Sequence, residues 1–168
     1  MRNTVIKYGL YGLLTGVILF LSGIFLGKGL SYSSQEVVGY STMVASLSFV
    51  FFGIKHYRDK VNNGAVSFGK ALQIGLLISV LVGVGVGIAD FIYSTFINPD
   101  FMAEYLDASI KTMKETLPPE EFETKKAALT QQMKDYGSSG FMAALMFLTV
   151  VLIGFIISLI SGLILQRK

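Results

Sequence analysis

Four long apolar runs, about 5–27, 37–54, 69–97 and 141–165, limit what this chain can become. Crossing a hydrocarbon core of about 30 Å takes roughly 20 helical residues, and each run approaches or exceeds that length with little or no charge inside it. The reading is an all-α membrane protein: one membrane domain of 168 residues with four transmembrane helices. Composition agrees, because 52% of the residues are hydrophobic, well above the norm for a soluble domain, and the excess is gathered into these runs. The first run is longer than the core of a secretory signal, and no small-x-small cleavage site precedes polar sequence. It is therefore expected to stay as a helix.

Charge orients the spans. Residues 55–75 form a polar stretch between two long apolar runs whose charge is almost all of one sign, with Lys55, Arg58, Lys60 and Lys70 against Asp59 alone. Lys and Arg collect on the cytoplasmic side of membrane proteins, so this loop and both termini, with Arg2, Lys7, Arg167 and Lys168, are expected inside. The opposite side then holds Lys28 and the 99–139 segment, where Asp100, Glu104, Asp107, Glu120, Glu121 and Glu123 make the balance mildly acidic. A net charge of +3 thus reports topology and gives no sign of a nucleic-acid partner. Within the loop, Asn62-Asn63-Gly64 predicts a turn and Ser67 a cap for the third helix. The stretch reads as a connector; four cations are few for a lipid-headgroup site.

Small residues mark where helices meet. Gly75, Ser79, Gly83 and Gly87 recur every four residues along helix three and predict a shallow groove filled by another helix, of this chain or of a second copy. Gly12/Gly16 and Gly23/Gly27 in the first span, and Gly154, Ser158 and Gly162 in the last, repeat the spacing. Asp90 is the one acidic residue inside any expected span, towards its outer end, with Tyr93 within hydrogen-bonding reach at i+3. An intramembrane carboxylate is a candidate functional group, so Asp90 and Tyr93 form the candidate polar site. His56, the sole histidine, is expected in solvent at the interface.

Between spans three and four, Asn98 predicts an N-cap with Pro99 and Asp100 in the first helical turn. Phe101, Tyr105, Ile110, Met113 and Leu117 then recur at near-helical spacing until Pro118-Pro119 interrupts them, and Phe122, Leu129, Met133 and Tyr136 continue in a second helix. The expectation is an extracytoplasmic αα-hairpin over 99–139, about 25 Å long.

No catalytic, cofactor or metal site emerges. One histidine and no cysteine leave no zinc ligand set, the Glu120, Glu121 and Glu123 cluster lacks calcium-loop spacing, and Gly83-x-Gly85-x-Gly87 is too short for a dinucleotide fingerprint. Ser79 and Ser158 have no intramembrane base to activate them. The chain is not expected to be an enzyme.

Certain motifs carry a resemblance. Tyr57-Arg58-Asp59-Lys60 after helix two, Asn63-Gly64 followed by Val66-Ser67-Phe68-Gly69-Lys70-Ala71, Asn98-Pro99-Asp100-Phe101, and a Gly- and Ile-rich last helix ending in Lys168 resemble the domain of unknown function 4199 family of bacterial membrane proteins. The resemblance runs from helix one to Lys168 and implies a four-helix protein of the bacterial inner membrane; it carries no activity. The functional expectation is a non-enzymatic accessory or scaffold protein that binds the lipid bilayer and either another copy of itself or a membrane-protein partner. The alternative is a small oligomeric ion or solute transporter using Asp90.

Overall fold

Hydrocarbon offers a peptide group no hydrogen-bond partner, so a long apolar run satisfies its backbone by coiling on itself. A computed structural model of the protein describes residues 1–27, 30 and 32–167; Lys28, Gly29, Ser31 and Lys168, with the positions expected of them, lie outside the described residues. The helices are α1 (Arg2–Leu26), α2 (Tyr32–His56), α3 (Phe68–Ile92), α4 (Phe101–Thr116), α5 (Pro119–Tyr136) and α6 (Ser139–Leu165). Four of them, α1, α2, α3 and α6, are long and apolar enough to cross a membrane, which makes this a multi-pass membrane protein. The 27 residues of α6 carry no charge and reach about 40 Å, more than a hydrocarbon core.

Both α2 and α3 close in a five-residue π-helical turn, Tyr57–Val61 and Tyr93–Ile97, which carries α2 past its expected end at 54 and brings α3 to its expected end at 97. Each turn is closed by an asparagine, whose N–H donates to the tyrosine carbonyl five residues back: Asn62 to Tyr57 at 2.9 Å and Asn98 to Tyr93 at 2.8 Å. This corrects the expected start of α4. Asn98 ends the preceding helix, Pro99 lies before the new one, and Asp100 takes the N-cap position without a side-chain capping bond.

The chain divides into two compact units, Met1–Ala89 with Met146–Lys168, and Asp90–Leu145. In the first, α3 is the central strut: 56% of its apolar window is buried, against 17–33% for the other three long helices. Its stripe Ala71, Ile74, Ile78 and Val82 has no exposed surface and packs with Leu47, Val50 and Ile54 of α2 and Val150 of α6. Glycines let α1 come close to this stripe: a Cβ on Gly12 would meet Val82 at 2.7 Å and the Ser46 carbonyl oxygen at 3.2 Å, and one on Gly16 would meet Val86 at 3.1 Å.

The basic loop is tied to the far end of the chain. Asn63 and Gly64 take positive φ, 51° and 85°, as the Asn-Gly turn requires. The turn delivers Val66 to Arg167, and the two exchange backbone hydrogen bonds of 2.9 Å in an isolated antiparallel bridge. Ser67 Oγ accepts from the Lys70 N–H at 3.4 Å, a long form of the expected cap at the start of α3.

In the second unit, α4 and α5 pack on each other, with Pro119 at the first position of α5, where its missing N–H is no loss. Neither helix has a buried residue. Asn98 Nδ2 donates to Glu104 Oε2 at 3.0 Å, and Tyr136 stacks at a tilt on Phe141 with centroids 5.1 Å apart.

Candidate functional site

Asp90 lies in the last turn of α3 and is 8% exposed. Among the described residues its carboxylate makes no hydrogen bond or ion pair, and the bond to Tyr93 that the i+3 spacing suggested does not form. Tyr93 opens the π-helical turn and turns its ring edge-on to Phe101 instead, with centroids 5.7 Å apart. Hydroxyls gather on the same stretch. Ser94 Oγ donates to the Asp90 carbonyl at 2.9 Å, Ser139 Oγ donates to the Ser94 carbonyl at 3.4 Å, and Thr95 Oγ1 is buried without a partner among the described residues. A buried carboxylate of this kind can hold a proton or a small cation. Among the described residues no group of three or more His, Asp or Glu side chains could share a metal.

The small-residue ladder does something different, and does it at van der Waals distance. A Cβ on Gly75 would strike Ser158, and a Cβ on Gly154 would strike Ser79. Each serine folds its hydroxyl back onto the glycine of its own helix, Ser79 Oγ to the Gly75 carbonyl at 2.8 Å and Ser158 Oγ to the Gly154 carbonyl at 2.6 Å. Two Gly-x-x-x-Ser words on antiparallel helices therefore interlock, each glycine receiving the other helix's serine. Sequence reasoning found both ladders but missed their pairing, for which the shared word was the available signal. Gly83 continues the contact against Phe147 and Val151, and Gly87 is buried as well.

His56 is placed differently from its expected solvated position. Its ring lies 5.3 Å from that of Tyr8, and its Nδ1 is buried without a hydrogen-bond partner among the described residues.

With these placements in view, a comparison with protein families is decisive at one level. The model of a protein of unknown function, DUF4199, matches residues 7–167. The chain belongs to the DUF4199 family. No curated protein and no solved structure matches it. The matched span takes in the Asn63-Gly64 turn, the interlocked Gly-Ser helices, Asp90 and the Val66–Arg167 bridge, so each of these lies within the region that defines the family.

Proposed function

We propose that this DUF4199 protein is a non-enzymatic accessory or scaffold protein of the bacterial inner membrane, with both termini cytoplasmic and α4–α5 forming an extracytoplasmic hairpin that binds a membrane-protein partner or a second copy. The observation that carries the reading is that neither α4 nor α5 buries a single residue, although they carry Phe101, Tyr105, Phe122, Leu129 and Tyr136. Amphipathic helices gain stability by covering their apolar face; Phe101, Tyr105, Phe122 and Leu129 are only half-buried, and on this reading a partner completes their cover. The orientation rests on the charge asymmetry: the 55–70 loop and Arg167, joined by the backbone bridge, are basic, and the 99–139 segment is not.

Photocrosslinkers placed at Phe101 and Phe122 in intact cells test this. A discrete adduct, to one membrane protein or to the chain itself, is the expected result; adducts to lipid alone at both positions would refute it.

A second reading, a small oligomeric ion or solute transporter, draws support from Asp90, which is deeply buried on a span and unpaired among the described residues. Reconstituted protein showing a proton- or cation-dependent flux that Asp90→Asn abolishes would replace the scaffold reading with this one.

A further inference from the structure

The basic end of the first unit contains more than a connector. Its described cations are Arg2, Lys7, Lys55, Arg58, Lys60, Lys70 and Arg167, and the only carboxylate among them, Asp59, is already held by Arg58 through bonds of 2.6 and 3.2 Å. Among the described residues the remaining cations form no ion pair. Two of them, Lys70 and Arg167, far apart in the sequence, are brought to the walls of one cleft of about 620 Å³, whose polar lining is Asn62, Ser67, Lys70, Gln166 and Arg167 and whose apolar lining is Ala65, Val66 and Phe68. That volume falls within the range of small-molecule sites, about 300–1,000 Å³.

Its neutral groups are largely committed. Asn62 Nδ2 donates to the Ala65 carbonyl at 2.8 Å and Gln166 Nε2 to the Leu163 carbonyl at 3.4 Å. The charged groups are not: Lys70 Nζ reaches only the side-chain oxygen of Gln73, at 3.3 Å, and the Arg167 guanidinium has no described partner. Among the described residues no carboxylate lines the cleft.

We infer that this cleft is a phosphate-binding site, with Lys70 and Arg167 as its paired cations and the phosphate of an anionic lipid headgroup, or a free phosphate, as its ligand. The Val66–Arg167 backbone bridge fixes the spacing of the two walls before any ligand arrives, so little ordering is needed on binding. Guanidinium and ammonium differ in what they add: Arg167 can meet two phosphate oxygens side by side, whereas Lys70 acts as a point charge. A lipid source is favoured by what lies one turn earlier on α6, where Leu163 and Ile164 are 62% and 65% exposed and offer apolar surface to acyl chains beneath a headgroup.

The test uses the whole protein purified in detergent, titrated with phosphatidylglycerol, phosphatidylcholine or inorganic phosphate, and read by native mass spectrometry and thermal melting. Lys70→Gln with Arg167→Gln is compared with Lys55→Gln with Lys60→Gln, an equal loss of charge outside the cleft. Retention of phosphatidylglycerol is expected to fall about tenfold or more in the cleft pair and less than about twofold in the control pair. Lys70→Arg, which keeps the charge, should retain the lipid. Phosphatidylglycerol binding that inorganic phosphate fails to displace assigns the ligand to a lipid; stabilisation by inorganic phosphate alone, lost in the cleft pair, assigns it to a free phosphate. Equal losses in the two pairs, or equal retention of both lipids with no effect of phosphate, would overturn the site. Should the cleft pair not fold, Arg167→Gln alone replaces it, because the bridge is made by the Arg167 backbone.

Discussion

The buried stripe of α3 and the pair α4–α5 are built from opposite kinds of residue. The stripe reaches zero exposure at Ile74, Ile78 and Val82 and is brought close to its neighbours by Gly75, Ser79 and Gly83. The pair carries the larger aromatic side chains Phe101, Tyr105 and Phe122, yet buries nothing completely. In lipid, apolar side chains gain little by leaving one another's company, so close association comes from backbones that small residues allow to approach. On the proposed placement of α4–α5 in water the driving force is apolar burial itself, which two short helices complete only in part. Small residues therefore mark where helices of this molecule pack closely, and large ones the pair whose apolar face the proposed partner would cover.

That contrast breaks first at the Gly-Ser interlock. Gly154→Leu should leave no monodisperse protein in gel filtration, since the side chain would enter the space of Ser79 and overpacking of a close crossing costs about 3 kcal/mol or more. A swap sharpens the point: Gly154→Ala should lower the melting temperature, and adding Ser79→Gly should recover at least part of the loss, because the second change returns the space the first one takes. A smaller effect is expected at Gly83, where a Cβ meets Phe147 and Val151 at 3.0 and 3.2 Å. Gly83→Leu should destabilise by about 1–3 kcal/mol in denaturant titration, while Ile88→Leu on the exposed face of the same helix should be close to neutral.

Effects shrink on the other side of the comparison. Phe101→Ala removes an edge-to-face contact with Tyr93, of a kind that contributes about 0.5–1.5 kcal/mol, and should change melting slightly while sharply reducing partner crosslinking. Amide exchange should follow the same order, with α4 and α5 exchanging well before the Ile74–Val82 stretch. Smallest of all is Lys125→Ala, which breaks an exposed pair with Glu121 at 3.4 Å and should leave melting unchanged within error.

What was legible in the sequence follows physical range. Span existence is written locally, in uninterrupted apolar length, and the Asn63-Gly64 turn and the Ser67 cap are written in the conformational preferences of one or two residues. The four-residue ladders are local too. Their pairing is not, because Gly75 meets Ser158 across a separation that no helical period encodes. The same holds for Val66 and Arg167, whose backbone bridge leaves no mark in side-chain chemistry. Asn98 misled for a subtler reason: an asparagine between two helices can begin the second or end the first, and the π-helical turn from Tyr93 settles it by claiming the Asn98 N–H. At the candidate polar site, Asp90 could be found from its charge alone, whereas the loss of Tyr93 to Phe101 needed the backbone path between them.

The interlock also imposes an order on biosynthesis. Ribosomes deliver α3 well before α6, so for the time it takes to make the intervening chain the Gly75–Ser79 groove has no occupant from its own sequence and the 55–70 loop has no Arg167 to bridge. A three-span intermediate thus has an open, backbone-lined furrow on α3 where Gly154 and Ser158 will later lie. Gly154 and Ser158 close the furrow, and Arg167, just beyond the end of the same helix, bridges the loop, so one late helix completes both contacts.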